Sequence, residues 1–353
     1  MPDTLESPHL GDRGAAISVR HLVKEFSLGG GMFSGTRRQV VSAVADISFD
    51  VARGSTLGLV GESGCGKSTT ARCILRLLEA TSGQVIFRKL IDGSYLTEEI
   101  DILSVSEVEL RELRSDLQIV FQDPVSSFNP RMTVGAAVAE QLIVNSDMSR
   151  SQRDERVREL LDLVGLEAGH ARRYPHEFSG GQRQRIGVAR ALALHPSFVI
   201  CDEPVSALDV SIQAQVLNLL VELQDELNLT FLFISHDLAV IRQVCDEVAV
   251  MYLGKIVEQS SVDLLFDEPV HPYTQALLSA APVANPGRQR SRTRILLEGD
   301  VPSPIDPPSG CRFRSRCTVG RDEAICREVE PVLKTIRAGH LAACHFPETR
   351  VVI

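Results

Sequence analysis

Apolar and polar positions change their period several times along this chain. Residues 17 to 60 hold four short β-rich runs separated by polar breaks: Ile17-Ser18-Val19, Val40-Val41-Ser42-Ala43-Val44, Ile47-Ser48-Phe49-Asp50-Val51 and Thr56-Leu57-Gly58-Leu59-Val60. The last run stops at a glycine-rich stretch, after which apolar residues from Thr69 to Glu79 recur at helical spacing. Strand, glycine turn and helix therefore follow one another directly. From about Pro130 to Phe178 the pattern is helical and charged, and we place an inserted helical subdomain over about 123–178. Phe198-Val199-Ile200-Cys201 and Phe231-Leu232-Phe233-Ile234 are continuous apolar runs suited to parallel strands buried on both faces, with a helix over Ile212 to Glu226 between them. The predicted fold class is α/β. Beyond Pro282 the composition turns to Pro, Arg, Ser and Gly, which predicts an extended linker over 282–310 ahead of a cysteine-rich segment over 311–346.

At 353 residues the chain is long enough for one large α/β core and a smaller C-terminal unit. Its net charge of -9 gives no electrostatic support for binding nucleic acid. The most apolar windows, such as Ala191 to Cys201, fall well short of the roughly 18 residues of a spanning helix, and Met1 to Glu6 shows no secretory pattern. A cytosolic placement is expected. Four of the eight cysteines, Cys65, Cys73, Cys201 and Cys245, are scattered and read as small apolar side chains, whereas Cys311, Cys317, Cys326 and Cys344 crowd together near the C-terminus. In a reducing compartment that crowding points to metal ligation more than to disulfides.

The glycine-rich stretch is Gly61-Glu62-Ser63-Gly64-Cys65-Gly66-Lys67-Ser68, followed by Thr69. Glycines at these positions let the backbone turn tightly and aim N–H groups at phosphate oxygens, with the helix N-terminus behind them. Lys67 is the candidate for the β- and γ-phosphates and the Ser68 hydroxyl for magnesium. Asp202 and Glu203 end an apolar strand, where α/β sheets bind ligands. There Asp202 would hold magnesium through water and Glu203 would polarise the attacking water. His236, in Ser235-His236-Asp237 after the next strand, is a candidate contact for the γ-phosphate or that water. Gln122, after Ile119-Val120-Phe121, is a candidate magnesium ligand and hinge. Ser179-Gly180-Gly181-Gln182 opens a further helix whose N-terminal amides suit an anion. Lying beyond the helical insert, it suits the γ-phosphate of a nucleotide held by a neighbouring cassette, which implies a dimer.

In this order the motifs closely resemble the nucleotide-binding subunits of bacterial ABC importers, over residues 17 to 281. Phe121-Gln122-Asp123-Pro124, Asn129-Pro130-Arg131-Met132-Thr133, Met251-Tyr252-Leu253-Gly254-Lys255, His271-Pro272-Tyr273-Thr274 and Gly310-Cys311-Arg312-Phe313 resemble the oligopeptide and dipeptide branch, nearest its F-type subunit. The resemblance implies a RecA-like core with an antiparallel β subdomain and a helical subdomain, ATP and Mg2+ as ligands, and Phe26 stacking on adenine. It implies that Asp209 lies at a dimer interface. The partners it implies are a second, D-type ATPase subunit, two transmembrane permease subunits and an extracellular substrate-binding protein, with this chain peripheral on the cytoplasmic face of the membrane. Peptide is the implied substrate; nickel, glutathione and oligosaccharides travel through relatives of the branch, and a soluble ABC ATPase outside transport is the alternative from another class. For the four C-terminal cysteines the resemblance implies a 4Fe-4S cluster, with zinc or no metal as alternatives, since no Cys-x-x-Cys pair is present. Residues 88–103 look longer than usual for the branch and are expected to extend a hairpin tip.

Overall fold

A computed structural model describes residues 14–28, 39–91, 97–123, 128–281 and 294–349. The chain divides into two compact units, one of residues 1–52, 56–103 and 235–353, the other of 53–55 and 104–234.

The first unit contains an antiparallel sheet in the order β2-β1-β4-β5, built from β1 (Ala15–Leu28), β2 (Gln39–Ala52), β4 (Ser82–Leu90) and β5 (Thr97–Asp101). Two of the four predicted runs, 40–44 and 47–51, fuse into β2. The polar break between them is a bulge, not a turn. Asp46 (φ 61°) and His21 (φ 48°) both take left-handed backbone angles where the β1–β2 register slips, and the His21 Nδ1 and Asp46 Oδ1 atoms lie 2.8 Å apart. The expected hairpin over 88–103 is present as β4 paired with β5, with Leu90 opposite Thr97. Residues 92–96, its tip, lie outside the described residues.

The same unit also holds strands in the order β11-β12-β10-β9-β3, where β3 is Thr56–Val60, β9 Glu247–Tyr252, β10 Lys255–Ser261, β11 Lys334–Arg337 and β12 His340–Ala342. β3 runs parallel to β9 and is buried along its whole length. β9 and β10 are joined by Leu253-Gly254, both at positive φ (44° and 80°), the backbone of a tight hairpin turn. β12 comes from the cysteine-rich segment and pairs with β10. Residues 294–310 contain no helix or strand, and Pro304 accepts a hydrogen bond from the Ser42 N–H at 3.2 Å. The rest of the predicted linker, 282–293, lies outside the described residues.

The second unit contains three parallel strands in the order β8-β7-β6, with β6 Leu117–Val120, β7 Phe198–Asp202 and β8 Thr230–Ser235. The helix Val210–Leu227 connects β7 to β8, giving the βαβ unit read from the apolar runs. The predicted helical insert contains helices at Val134–Asn145 and Arg150–Leu163 and short 3-10 turns at Ala168–Arg172 and Pro175–Glu177. Thr133 and Ser149 cap the two helices by accepting N–H bonds from Ala136 and Gln152. Residues 124–127 of the insert, including Pro124, lie outside the described residues.

One ionisable cluster ties β12 into the first unit. Glu258, in the middle of β10, and His340, the first residue of β12, are fully buried with Oε1 and Nε2 2.6 Å apart. Glu258 also accepts the Val270 and His271 N–H groups at 2.8 and 3.0 Å. Removing one partner of a buried, hydrogen-bonded ionisable pair typically costs 3–5 kcal/mol. Glu258→Ala is therefore expected to lower stability by about 3–5 kcal/mol, read as a shift of the urea unfolding midpoint, and Glu258→Gln, which keeps one of the two acceptor oxygens, is expected to shift it less.

Candidate active site

The phosphate loop is shaped by close approaches that only glycine permits. Gly61 follows β3 at φ 156°, and a Cβ there would lie 2.1 Å from the Met251 carbonyl oxygen; at Gly66 (φ 112°) it would lie 2.2 Å from that of Ala43. Gly66 is the N-cap of the helix Lys67–Ile74 and its carbonyl accepts the Thr70 N–H. Lys67 is buried, and its Nζ donates to the Gly61 and Glu62 carbonyls at 2.7 and 3.1 Å, with Cys65 Sγ at 3.8 Å. Ser63 and Gly64 are exposed at the tip, and Ser68 and Thr69 are half-buried in the first helical turn. Burial raises the Cys65 thiol pKa, opposed by the neighbouring Lys67 charge. The helix begins with no acidic residue in its first turn, so its N-terminal amides meet no competing carboxylate there. Phe26, on β1, is half-buried with Lys24 Nζ 4.9 Å from its ring centroid.

In the second unit β7 delivers Asp202, buried, and then Glu203 at the strand tip. Glu203 adopts φ 48°, an unusual conformation for a side chain with a Cβ, and its N–H donates to the Ile234 carbonyl at 3.0 Å. Gln122, after β6, donates from Nε2 to Glu203 Oε2 at 3.1 Å. Two residues 81 positions apart, both picked out from the sequence, thus share one hydrogen bond. His236 belongs to the first unit and is exposed in the turn after β8, where Asp237 donates its N–H to Ser235 Oγ and caps the next helix.

Ser179 caps the helix Gly180–Ala191 with a reciprocal box: its hydroxyl accepts the Gln182 N–H at 3.3 Å and its own N–H donates to Gln182 Oε1 at 3.0 Å. A Cβ on Gly181 would lie 2.2 Å from Ile212 Cγ2, and one on Gly180 3.3 Å from Leu208 Cδ2. The two glycines let this helix start lie directly against the segment that carries Asp209. Asp209 caps the helix Val210–Leu227; hydrogen bonds from the Ser211 hydroxyl and the Ile212 N–H lower its carboxyl pKa.

Cys311, Cys317, Cys326 and Cys344 are all buried and line one small cavity of about 10 Å³, together with Phe313 and Gly320. Burial pushes the Cys311 thiol up to about 11 and Cys344 to about 12, and raises Cys326. The Gly320 N–H donates to Cys317 Sγ at 3.2 Å. The sequence cluster is therefore a spatial one. Among the described residues, however, no three His, Cys, Asp or Glu side chains form a group that could hold a metal ion, and the cavity has room for about one water molecule at most. The expected iron–sulfur or zinc ligation does not fit this geometry: the buried thiols pack here as small apolar groups.

Two contacts to the phosphate loop have no counterpart in the sequence reading. Tyr273 Oη accepts the Glu62 N–H at 2.9 Å, and Arg316 grips the Glu62 carboxylate with Nη1 and Nη2 at 2.7 and 3.0 Å. Tyr273 lay inside a stretch noted only for its family likeness. Arg316 sits 254 positions from Glu62 with no motif to single it out.

Comparison with known structures places the architecture. The chain is similar to the dimeric structure of a post-hydrolysis state of an ATP-binding cassette bound to ADP and Pi (27% identity, TM-score 0.58, covering 70% of this chain and 98% of that one). It is also similar to cbiO1 of Clostridium perfringens, described as part of an ABC transporter complex (26% identity, TM-score 0.57, 71% and 90% covered). The fold is thus that of an ABC-type nucleotide-binding domain. The ABC transporter family model matches residues 44–206, and the model of the oligopeptide/dipeptide transporter C-terminal region matches residues 257–326. The oligopeptide transport ATP-binding protein AppF of Bacillus subtilis is 50% identical over 333 residues, 94% of this chain and 97% of the relative. A probable peptide ABC transporter ATP-binding protein of Sinorhizobium fredii is 51% identical over 331 residues, 94% and 90% of the two chains. The chain belongs to the ATP-binding subunits of the oligopeptide/dipeptide ABC transporter family.

The tight seat of Gly181 yields a test of the helix packing. Gly181→Ala drives a methyl into Ile212, and overpacking of this kind costs about 1–3 kcal/mol. A lowered thermal unfolding midpoint is expected for Gly181→Ala, with recovery in the Gly181→Ala/Ile212→Ala double variant.

Proposed function

We propose that this chain hydrolyses ATP to energise peptide import, working as a peripheral subunit on the cytoplasmic face of a membrane transporter. The observation that carries the hydrolytic reading is the Gln122–Glu203 hydrogen bond at a strand tip, in a chain whose phosphate loop holds a buried lysine on backbone carbonyls. The ATPase domain spans 17–281, with its helical subdomain over about 123–178, followed by the linker and the cysteine-rich region. Lys67 and the loop amides bind the β- and γ-phosphates, Phe26 stacks on adenine, and Ser68, Gln122 and Asp202 hold magnesium, which neutralises phosphate charge. Glu203 takes a proton from the attacking water as its oxygen bonds to the γ-phosphorus and the bond to the bridging oxygen breaks, releasing ADP and phosphate; His236 contacts the γ-phosphate.

Ser179, Gly180, Gly181 and Gln182 serve the nucleotide of a second ATPase subunit, and Asp209 links the two sites across the interface. Reciprocal capping of Ser179 and Gln182 supports this reading, because it leaves a preformed helix start able to meet an incoming anion. No helix among the described residues is long and apolar enough to cross a membrane; two permease subunits, supplied in turn by an extracellular binding protein, carry the translocation. Peptide as the cargo rests on the relatives named for peptide transport and on the matched C-terminal region.

Glu203→Gln is expected to reduce ATP turnover at least about a hundredfold, about 2.7 kcal/mol of barrier, while ATP stays bound. Steady-state phosphate release and retained nucleotide measure the two effects; unchanged turnover rejects Glu203 as the base.

A further inference from the structure

The cysteine-rich segment reaches into the phosphate loop at one residue. Arg316 ends the 3-10 turn Arg314–Arg316, which lies between Cys311 and Cys317 and is closed by N–H bonds from Arg314 to the Cys311 carbonyl and from Cys317 to the Arg314 carbonyl. Its guanidinium is nearly buried and donates twice to the Glu62 carboxylate, at 2.7 and 3.0 Å, a fork that matches both oxygens. It also lies 5.9 Å from the ring centroid of Tyr252. Tyr252 packs against Tyr273 and Phe313 at centroid distances of 4.7 and 5.2 Å, so the guanidinium is seated on an aromatic cluster that the same C-terminal segment completes.

Glu62 is held at every polar point. Its carboxylate meets Arg316, its N–H donates to Tyr273 Oη and its carbonyl accepts from Lys67 Nζ at 3.1 Å. Arg316 is thus two links from the lysine ammonium. A second route runs beside it: Arg312 Nη1 donates to the Leu253 carbonyl at 2.6 Å, and the next N–H, of Gly254, donates to the Cys65 carbonyl at 2.8 Å. Both routes start in the segment between Cys311 and Cys317 and end on the loop that carries Lys67.

We propose that Arg316 is a positioning residue for ATP binding: through Glu62 it holds the phosphate loop and Lys67 in the receptive shape, so the cysteine-rich region braces the nucleotide site. The proposal rests on the ATP-binding reading above. In this reading Arg316 acts on the nucleotide site through Glu62, whose carboxylate it grips.

The test is equilibrium binding of MgATP to the purified full-length chain by titration calorimetry, which needs neither hydrolysis nor transport. Arg316→Ala is expected to weaken ATP affinity about tenfold, about 1.4 kcal/mol, with Arg316→Lys recovering part of the loss. Glu62→Gln is expected to weaken it by a similar factor, and adding Arg316→Ala to Glu62→Gln should cost nothing more. Affinity within twofold of wild type in folded Arg316→Ala, or losses that simply add in the double variant, overturns the proposal. Should Arg316→Ala fail to fold, Glu62→Gln removes the charge from the other end of the same contact, and affinity within twofold of wild type in that variant overturns the proposal. Wild-type chain that binds no ATP would instead reject the functional reading itself.

Discussion

The phosphate loop keeps its shape because other backbone presses against it where no side chain fits. Gly61 lies against the Met251 carbonyl and Gly66 against that of Ala43, while the Cys65 carbonyl accepts the Gly254 N–H. These contacts come from β2, from β9 and from the turn after β9, so the loop depends on both sheets of the first unit. β9 is flanked by β3, which launches the loop, and by β10, whose buried Glu258 anchors β12 and the start of the helix Pro272–Ala280. Tyr273 in that helix then returns to the loop at Glu62. The cradle for an anion is therefore a closed circuit of contacts in which each element is fixed by the next.

The second unit carries its chemistry differently. Glu203 sits at a strand tip with a left-handed backbone, a conformation that usually costs a side-chain-bearing residue about 1–3 kcal/mol. The Ile234 carbonyl and the Gln122 amide hold it there, one through its backbone and the other through its carboxylate. Strain of this kind aims a carboxylate where an ordinary strand residue could not point. The helix Gly180–Ala191 relies instead on missing side chains, since Gly180 and Gly181 let it approach the loop of Asp209 closely.

How much of this was legible beforehand follows from how far each feature reaches along the chain. β7 and β8 were readable because a strand buried on both faces leaves an unbroken apolar run, and β3 because its β-rich run stops at the glycine loop. The fusion of two runs into β2 was not, because a bulge at Asp46 and a turn there look alike in a list of residues. Pairing of Glu258 with His340 and of Glu62 with Arg316 was invisible for another reason: each joins residues 82 or 254 positions apart, and nothing local marks the partner. Crowded cysteines did foretell a shared cavity. They did not foretell its size, which depends on the packing of Phe313 and Gly320 around the thiols.

The separation of 254 residues between Glu62 and Arg316 also sets a schedule. At a synthesis rate of about 5–20 residues per second, the loop leaves the ribosome roughly 13–50 s before the arginine that grips it. During that interval the nascent chain carries a phosphate-binding motif that has not met its clamp, and β10 has an open edge where β12 will later pair. The loop's last contact thereby waits until the cysteine-rich segment has been made, so that a chain truncated before Arg316 lacks the residue that grips Glu62.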